Sequence, residues 1–195
     1  MGREILLDTD GVVIRPRHKY FSEKFSEEYE IPLEEILTFF KGEFKKAVVG
    51  EVGIKEVLPD YLTKWGWKGT IDEFLQYWYE GEKDVDENIL QEVRTLRQNG
   101  TRVHMVSDNE AGRTKYLMEQ VGLEKEFDQS FFSSDLGITK SDSQFFQEVV
   151  AKLKVAPGEI EYWDDDPKNV AVAEGIGIKG HVYTDFETFK GEVET

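Results

Sequence analysis

The sequence predicts an α/β fold in which a parallel sheet carries helices on both faces and a small all-helical domain is inserted after the first strand. Three observations lead there. From about Val85 onward, short apolar runs alternate with segments of helical period, an order that calls for parallel strands covered by helices. Between about Arg15 and Lys83 the periods are helical only. The composition, 39% hydrophobic and 13% aromatic, is rich enough to fill a core, which a disordered chain of similar charge is not.

In chain order, Glu4 to Leu7 (EILL) is an apolar run ending in Asp-Thr-Asp-Gly, a buried parallel strand whose carboxyl end meets a turn. The helical block has four apolar sets: Tyr20, Phe21 and Phe25; Leu33, Ile36, Leu37 and Phe40; Ile54, Val57 and Leu58; and Phe74, Leu75 and Trp78 behind a Thr70-x-x-Glu73 capping box. Asp86 is placed to N-cap a helix bearing Ile89, Leu90, Val93 and Leu96, with Gly100 as its stop. A strand over Arg102 to Val106 follows, then a helix with Tyr116, Leu117 and Val121 stopped near Gly122, then a short strand around Phe131. A Ser141-x-x-Gln144 capping box predicts a helix from Ser141 with Phe145, Val149 and Leu153 in the core. Ile160 to Trp163 is the next strand, and Pro167 opens a helix to about Ala173. His181 to Thr184 form the last strand, before an amphipathic turn at Phe186 and Phe189. The expected division is a core of residues 1–14 and 85–195 and a helical insertion of residues 15–84.

Charge narrows the function. The 195 residues hold 40 acids against 24 Lys and Arg, a formal net charge of −16. A field of that sign repels phosphate backbones and anionic lipid heads, so neither a nucleic-acid binder nor a basic membrane module is expected. The absence of cysteine removes thiol catalysis, disulfides and Cys-based zinc sites, and fits a reducing cytoplasmic setting. No window approaches the run of about 18 apolar residues that spans a membrane, and MGREILLDTDG meets acids at once, unlike a signal peptide.

Four places carry candidate chemistry. Asp8-x-Asp10-Gly11 sits where an open parallel sheet gathers ligands; its carboxylates could share a divalent cation or divide nucleophilic and acid–base work, or serve only as turn formers. Asp164-Asp165-Asp166 repel one another unless a cation intervenes, and otherwise read as a solvated loop capping the next helix. Ser107-Asp108-Asn109 ends a strand before a helix, a natural phosphate seat or an ordinary N-cap. Lys140 precedes a helix N-terminus, where the dipole gives a cation no benefit. Gly175-x-Gly177-x-x-Gly180 matches a dinucleotide fingerprint as a string but lies after a helix and before a strand, the reverse of the required context. His18, His104 and His181 lack metal-binding spacing.

Taken in order, LLDTDGVV, VSDN, TKSDSQFF and YWDDDPKNV resemble the four motifs of the haloacid dehalogenase superfamily of phosphohydrolases. The stretch from Gly122-Leu123 through Phe127-Asp128 to Ser133-Ser134-Asp135-Leu136-Gly137 is similar to the family's segment between its second and third motifs. A helical insertion after the first motif resembles the cap of the β-phosphoglucomutase-like and epoxide-hydrolase-phosphatase-like branches, and Gly50 to Ile54 is similar to a cap stretch of the latter. The resemblance implies a Rossmann-like core and a Mg²⁺-dependent phosphatase of a small phosphorylated metabolite; the oligomeric state is left between monomer and homodimer. It implies Asp8 as nucleophile, Asp10 as acid and base, Ser107 with the Asp108 backbone N–H as phosphoryl donors, and Lys140 as charge neutraliser. The metal would be held by Asp8, the Asp10 carbonyl and Asp165, with Asp164 supporting. An acid at position 10, which the dehalogenase branch lacks, favours displacement at phosphorus over carbon. Lys-Ser-Asp-Ser in place of the commoner Lys-Pro-Asp-Pro, and Asp108 in place of Asn, bear on turnover and substrate choice more than on reaction class. The same motifs also suit a sugar-phosphate mutase or other phosphotransferase, or a non-catalytic domain binding a phospholigand or a protein. Lys41, Lys45 and Lys46 are candidate specificity groups or solvated charge; Trp65, Trp67 and Trp78 are a substrate wall or cap core.

Overall fold

The computed structural model describes residues 3–193; residues 1, 2, 194 and 195 of the expected core lie outside the described residues. Five parallel strands are present among the described residues: β1 (Glu4–Asp8), β2 (Arg102–Ser107), β3 (Gln129–Phe132), β4 (Ile160–Asp164) and β5 (Lys179–Val182), in the order β3-β2-β1-β4-β5. Because β1 is central, the alternation of its side chains divides the interior. Ile5 and Leu7 join Val103, Met105 and Trp163 on one face, while Leu6 joins Val106, Phe131, Ile160 and Tyr162 on the other. The first face is covered by α6 (Glu87–Gln98), α7 (Ala111–Lys115) with the π-helical turn 116–120, and α11 (Phe186–Val193); the second by α9 (Ser143–Leu153) and α10 (Pro167–Glu174).

Between β1 and α6 lie α1 (Phe21–Tyr29), α2 (Leu33–Lys41), α3 (Glu43–Val48), α4 (Ile54–Lys64) and α5 (Ile71–Glu80). Their shared interior is aromatic: Phe21 stacks on Trp78 with ring centroids 5.1 Å apart, and Phe25 meets Phe74 edge-on at 5.4 Å. Full burial of each such ring contributes roughly 1.5–3 kcal/mol, so this block has a core of its own kind while remaining continuous with the first face of the sheet. Trp65 and Trp78 are buried in it, which makes them packing rather than a substrate wall, and Trp67 packs partly against it. Where the chain leaves the core and returns, Ile14 bridges Val85, with Arg15 N donating to Asp84 O (2.8 Å) and Asp86 N to Val13 O (2.9 Å).

Several expectations need correction. The helix expected from Ser141 starts at Ser143, because the Asp142 carboxylate, not Ser141, accepts from Gln144 N. The last strand covers Lys179–Val182 rather than His181 to Thr184: it pairs Trp163 with His181 and Asp164 with Val182, and the chain leaves the sheet beyond that register. The helix carrying Tyr116 and Leu117 is α-helical only to Lys115 and then opens into a π turn. Helix α3 was unanticipated, Phe39 rather than Phe40 is the fully buried ring of α2, and Tyr20 is exposed. Gly175 ends α10, consistent with a helix stop rather than a nucleotide loop. Among the described residues no helix is long and apolar enough to cross a membrane.

Candidate active site

The strand order brings three loops together. With β2 and β4 flanking β1 in register, Asp8, Ser107 and Asp164 end side by side at the carboxyl edge of the sheet. The turn after Asp8 is tight: Thr9 N donates to Val106 O (3.1 Å), Ile14 N to Thr9 O (2.7 Å) and Gly11 N to Ile14 O (2.8 Å). Lys140 reaches the edge from the loop before α9, its backbone N–H donating to Asp108 Oδ1 (3.0 Å).

The centre is buried and acidic. Lys140 Nζ donates to Asp8 Oδ1 (2.5 Å) and Asp164 Oδ2 (2.8 Å), and all three residues are at most 4% exposed. One cation thus serves two carboxylates. Burial pushes the Asp8 carboxyl up from its ordinary 3.8 to about 8, against the lowering pull of Lys140. Burial alone would lower the Lys140 ammonium, but Asp8, Asp164 and Asp108 overcome it and hold the proton on. Asp164 also accepts from Tyr162 OH, Asn169 Nδ2 (3.1 Å) and Asp166 N (2.7 Å), so its oxygens are committed to the protein. The two side-chain acceptor bonds of Asp8, from Lys140 and from Thr9 N (2.7 Å), both fall on Oδ1.

The acid set suits a hard divalent cation. One carboxylate oxygen from each of Asp8, Asp164 and Asp165 lies within 4.8 Å of the others. Asp165 is exposed, and its carboxyl lies against Gly11, where any Cβ would collide with it; Gly11 also has φ +99°. Burial raises the Asp165 carboxyl, with Asp164 adding to the effect, and a cation would relieve both. The residues present therefore fit Mg²⁺ in chemistry, with Asp165 the acid least engaged by the protein. His104 Nε2 pairs with buried Glu4 (2.8 Å) and His181 Nδ1 with Glu192 (3.0 Å).

Asp10 has partners the sequence did not disclose. Arg113 grips it with both arms, Nη1 to Oδ2 (2.6 Å) and Nη2 to Oδ1 (2.7 Å); Arg17 donates to Oδ1 and Asn109 Nδ2 to Oδ2 (3.1 Å). Burial would raise its carboxyl, yet the two guanidinium groups hold it well below the usual carboxylate range. Asn109 Nδ2 also donates to Ser107 Oγ (2.6 Å), so the first- and second-strand loops are tied together. Asp108 turns its carboxylate to the Lys140 backbone, and burial raises that carboxyl. Lys41, Lys45 and Lys46 are exposed, Lys46 pairing with Glu43 (2.9 Å). A cleft of about 430 Å³ opens beside Asp10, Gly11 and Asp165, with Arg15, Arg17 and Tyr20 on its other wall.

Fold and centre define an α/β enzyme whose acids and lysine meet at the carboxyl edge of a parallel sheet, the place such folds reserve for ligands. More particularly, the chain belongs to the haloacid dehalogenase-like hydrolase family, whose model matches residues 4–182. It is 23% identical over 184 residues to a phosphorylated carbohydrates phosphatase of Thermotoga maritima, across 90% of this chain and 82% of that one. Among solved structures it is similar to a haloacid dehalogenase family enzyme of Bacteroides thetaiotaomicron in complex with magnesium and inorganic phosphate. There the TM-score is 0.81 at 19% identity, covering 94% of this chain and 95% of that one. A predicted haloacid dehalogenase-like hydrolase of Porphyromonas gingivalis gives a TM-score of 0.80 at 22% identity, covering 100% and 97%.

Proposed function

We propose that the protein is a Mg²⁺-dependent phosphomonoesterase acting on a small phosphorylated metabolite through an aspartyl phosphate on Asp8. The observation that carries this reading is the convergence of Asp8, Ser107 and Lys140 at one sheet edge with Lys140 Nζ 2.5 Å from the Asp8 carboxylate. A carboxylate attacks an anionic ester only where positive charge offsets the repulsion, and the buried ammonium supplies it from the protein side. Asp8, the Asp10 carbonyl and Asp165 would hold Mg²⁺, whose charge adds to that of Lys140 on the phosphoryl oxygens. The magnesium and phosphate bound by the Bacteroides relative support this cofactor and ligand, and the Thermotoga relative's name makes sugar phosphates the first substrates to try.

In the first step Asp8 Oδ2 bonds to phosphorus while the bond from phosphorus to the ester oxygen breaks, and that oxygen leaves with a proton from Asp10. In the second, water bonds to phosphorus, its proton goes to Asp10, and the Asp8–phosphorus bond breaks to release inorganic phosphate. The ionised Asp10 held by Arg113 and Arg17 is the form the second step requires. The first requires its protonated form, and the negative charges arriving with a phosphate ester raise that carboxyl again. Ser107, and the Asp108 backbone N–H beside it, would donate to the phosphoryl oxygens. The helical segment 15–84 would act as a cap over the site, excluding water during transfer.

Phosphate release from sugar phosphates, nucleotides, phosphoamino acids and acyl phosphates, with and without Mg²⁺, tests the reading. Metal-dependent release that Asp8→Asn reduces by about a thousandfold or more is expected, in line with loss of the nucleophile. Release that survives chelation or the substitution contradicts it.

A further inference from the structure

The grip on Asp10 is complete. A carboxylate offers about four lone-pair directions, and here four donors fill them: two from Arg113, one from Arg17 and one from Asn109. The two arginines differ. Arg113, on α7, is 5% exposed, and the same Nη1 that holds Asp10 also donates to Asn109 Oδ1 (2.5 Å). Its Nη2 also reaches Glu82 O (3.3 Å), on the return from the helical segment. Arg17 lines the cleft beside Asp10 and Asp165, and Arg113 does not.

An ion pair between a buried arginine and a half-buried carboxylate is a weak source of stability, since desolvation and water at the exposed side offset most of its attraction. A planar fork does something a point charge does not: it sets the plane of the carboxylate it holds. We infer that Arg113 is a positioning residue of the reaction, fixing the plane and reach of the Asp10 carboxyl beside Ser107 so that one chosen oxygen, Oδ1, meets the leaving group. Arg17 is the partner the substrate replaces, because its contact alone borders the cleft. The inference rests on the reading of Asp10 as the acid–base group and adds a residue that the four motifs do not contain.

Leaving-group dependence separates positioning from a purely structural ion pair. An alkyl phosphate departs only with a proton, whereas p-nitrophenolate leaves without one, and kcat/KM reports the steps up to that departure. Arg113→Lys keeps the charge and loses the fork. With Mg²⁺ present, it is expected to lower kcat/KM for glycerol phosphate by about 10- to 100-fold, with KM moving less than about threefold, and for p-nitrophenyl phosphate by less than about threefold. Should that variant fail to fold, Arg113→Met with Glu82→Gln removes one buried charge of each sign, and the same selective loss is expected. Equal fractional losses on the two esters, or no loss on either, overturn the inference while leaving the phosphatase reading intact. A wild-type protein with no Asp8-dependent turnover of either ester overturns both.

Discussion

At the scale of single residues, three carboxyls at one sheet edge meet three different surroundings. Asp8 is lifted by burial to about 8, Asp10 is held low by two guanidinium groups, and Asp164 is saturated by Tyr162, Asn169 and Lys140. Two carboxylates on one turn are thereby pushed apart, which is how acid–base and nucleophilic roles are divided. A measurable consequence follows from Asp8. Its carboxyl titrates near 3.8 in the unfolded chain and near 8 when folded, so across that interval the folded protein binds more protons, and metal-free stability falls as pH rises from about 4 to about 8. Asp108 and Asp165, also raised chiefly by burial, act in the same direction. Mg²⁺ would bind the deprotonated acids, so the rise in melting temperature on adding Mg²⁺ should be larger at pH 8 than at pH 6, and Asp8→Asn should shrink that difference, leaving the smaller part that Asp165 contributes. An equal or larger rise at pH 6, by differential scanning fluorimetry, contradicts this assignment of Asp8.

At the scale of elements, one contact between the helical segment and the sheet side of the molecule is small enough to test by itself. The end of α3 and the loop after it rest on α8 (Ser133–Leu136): Ser133 Oγ donates to Val48 O (2.7 Å), and a Cβ on Gly50, at φ +70°, would collide with the Ser134 carbonyl. Gly66 has nearly the same φ, +69°, but open space around it. Gly66→Ala therefore carries only the left-handed backbone penalty of about 1–2 kcal/mol, a fall of roughly 2–8 °C in melting temperature for a chain of this size. Gly50→Ala adds a clash with main chain that cannot swing aside, and should fall further and weaken substrate affinity as well; equal losses in the two variants would show that the close approach does not matter. The elements also show what a sequence can disclose. Strands β1, β2 and β4 and helices α5, α6 and α10 were legible because long apolar periods coincide with caps at Thr70, Asp86 and Asp166–Pro167. Helix α3 was not, since its six residues, Glu43–Val48, are too few for a period to register. Edge strand β5 was misplaced because its residues are half-exposed and carry no alternation. Asp8, Asp10, Ser107, Lys140 and Asp164 were visible as motifs, but Arg17 and Arg113, 7 and 103 residues from Asp10, become its partners only through the fold.

At the scale of the whole molecule, a parallel sheet with β1 at its centre makes one edge the meeting point of the loops that follow β1, β2 and β4, and the chain's charge gives that edge its problem. The net charge of −16 would oppose the proposed anionic substrate, so Lys140, the arginines beside Asp10 and the proposed divalent cation would have to reverse the field at that edge. The proposed function depends above all on phosphoryl transfer through Asp8. Rapid quenching of a single turnover in heavy-oxygen water, followed by mass spectrometry of the peptide containing Asp8, tests it most directly. A transient phosphoryl adduct on Asp8 is expected, absent in Asp8→Asn, with heavy oxygen appearing in the released phosphate and none in the Asp8 carboxylate. Phosphate release with no adduct would contradict transfer through Asp8, and heavy oxygen incorporated into Asp8 would contradict the second step by placing the attack of water at the carboxyl carbon.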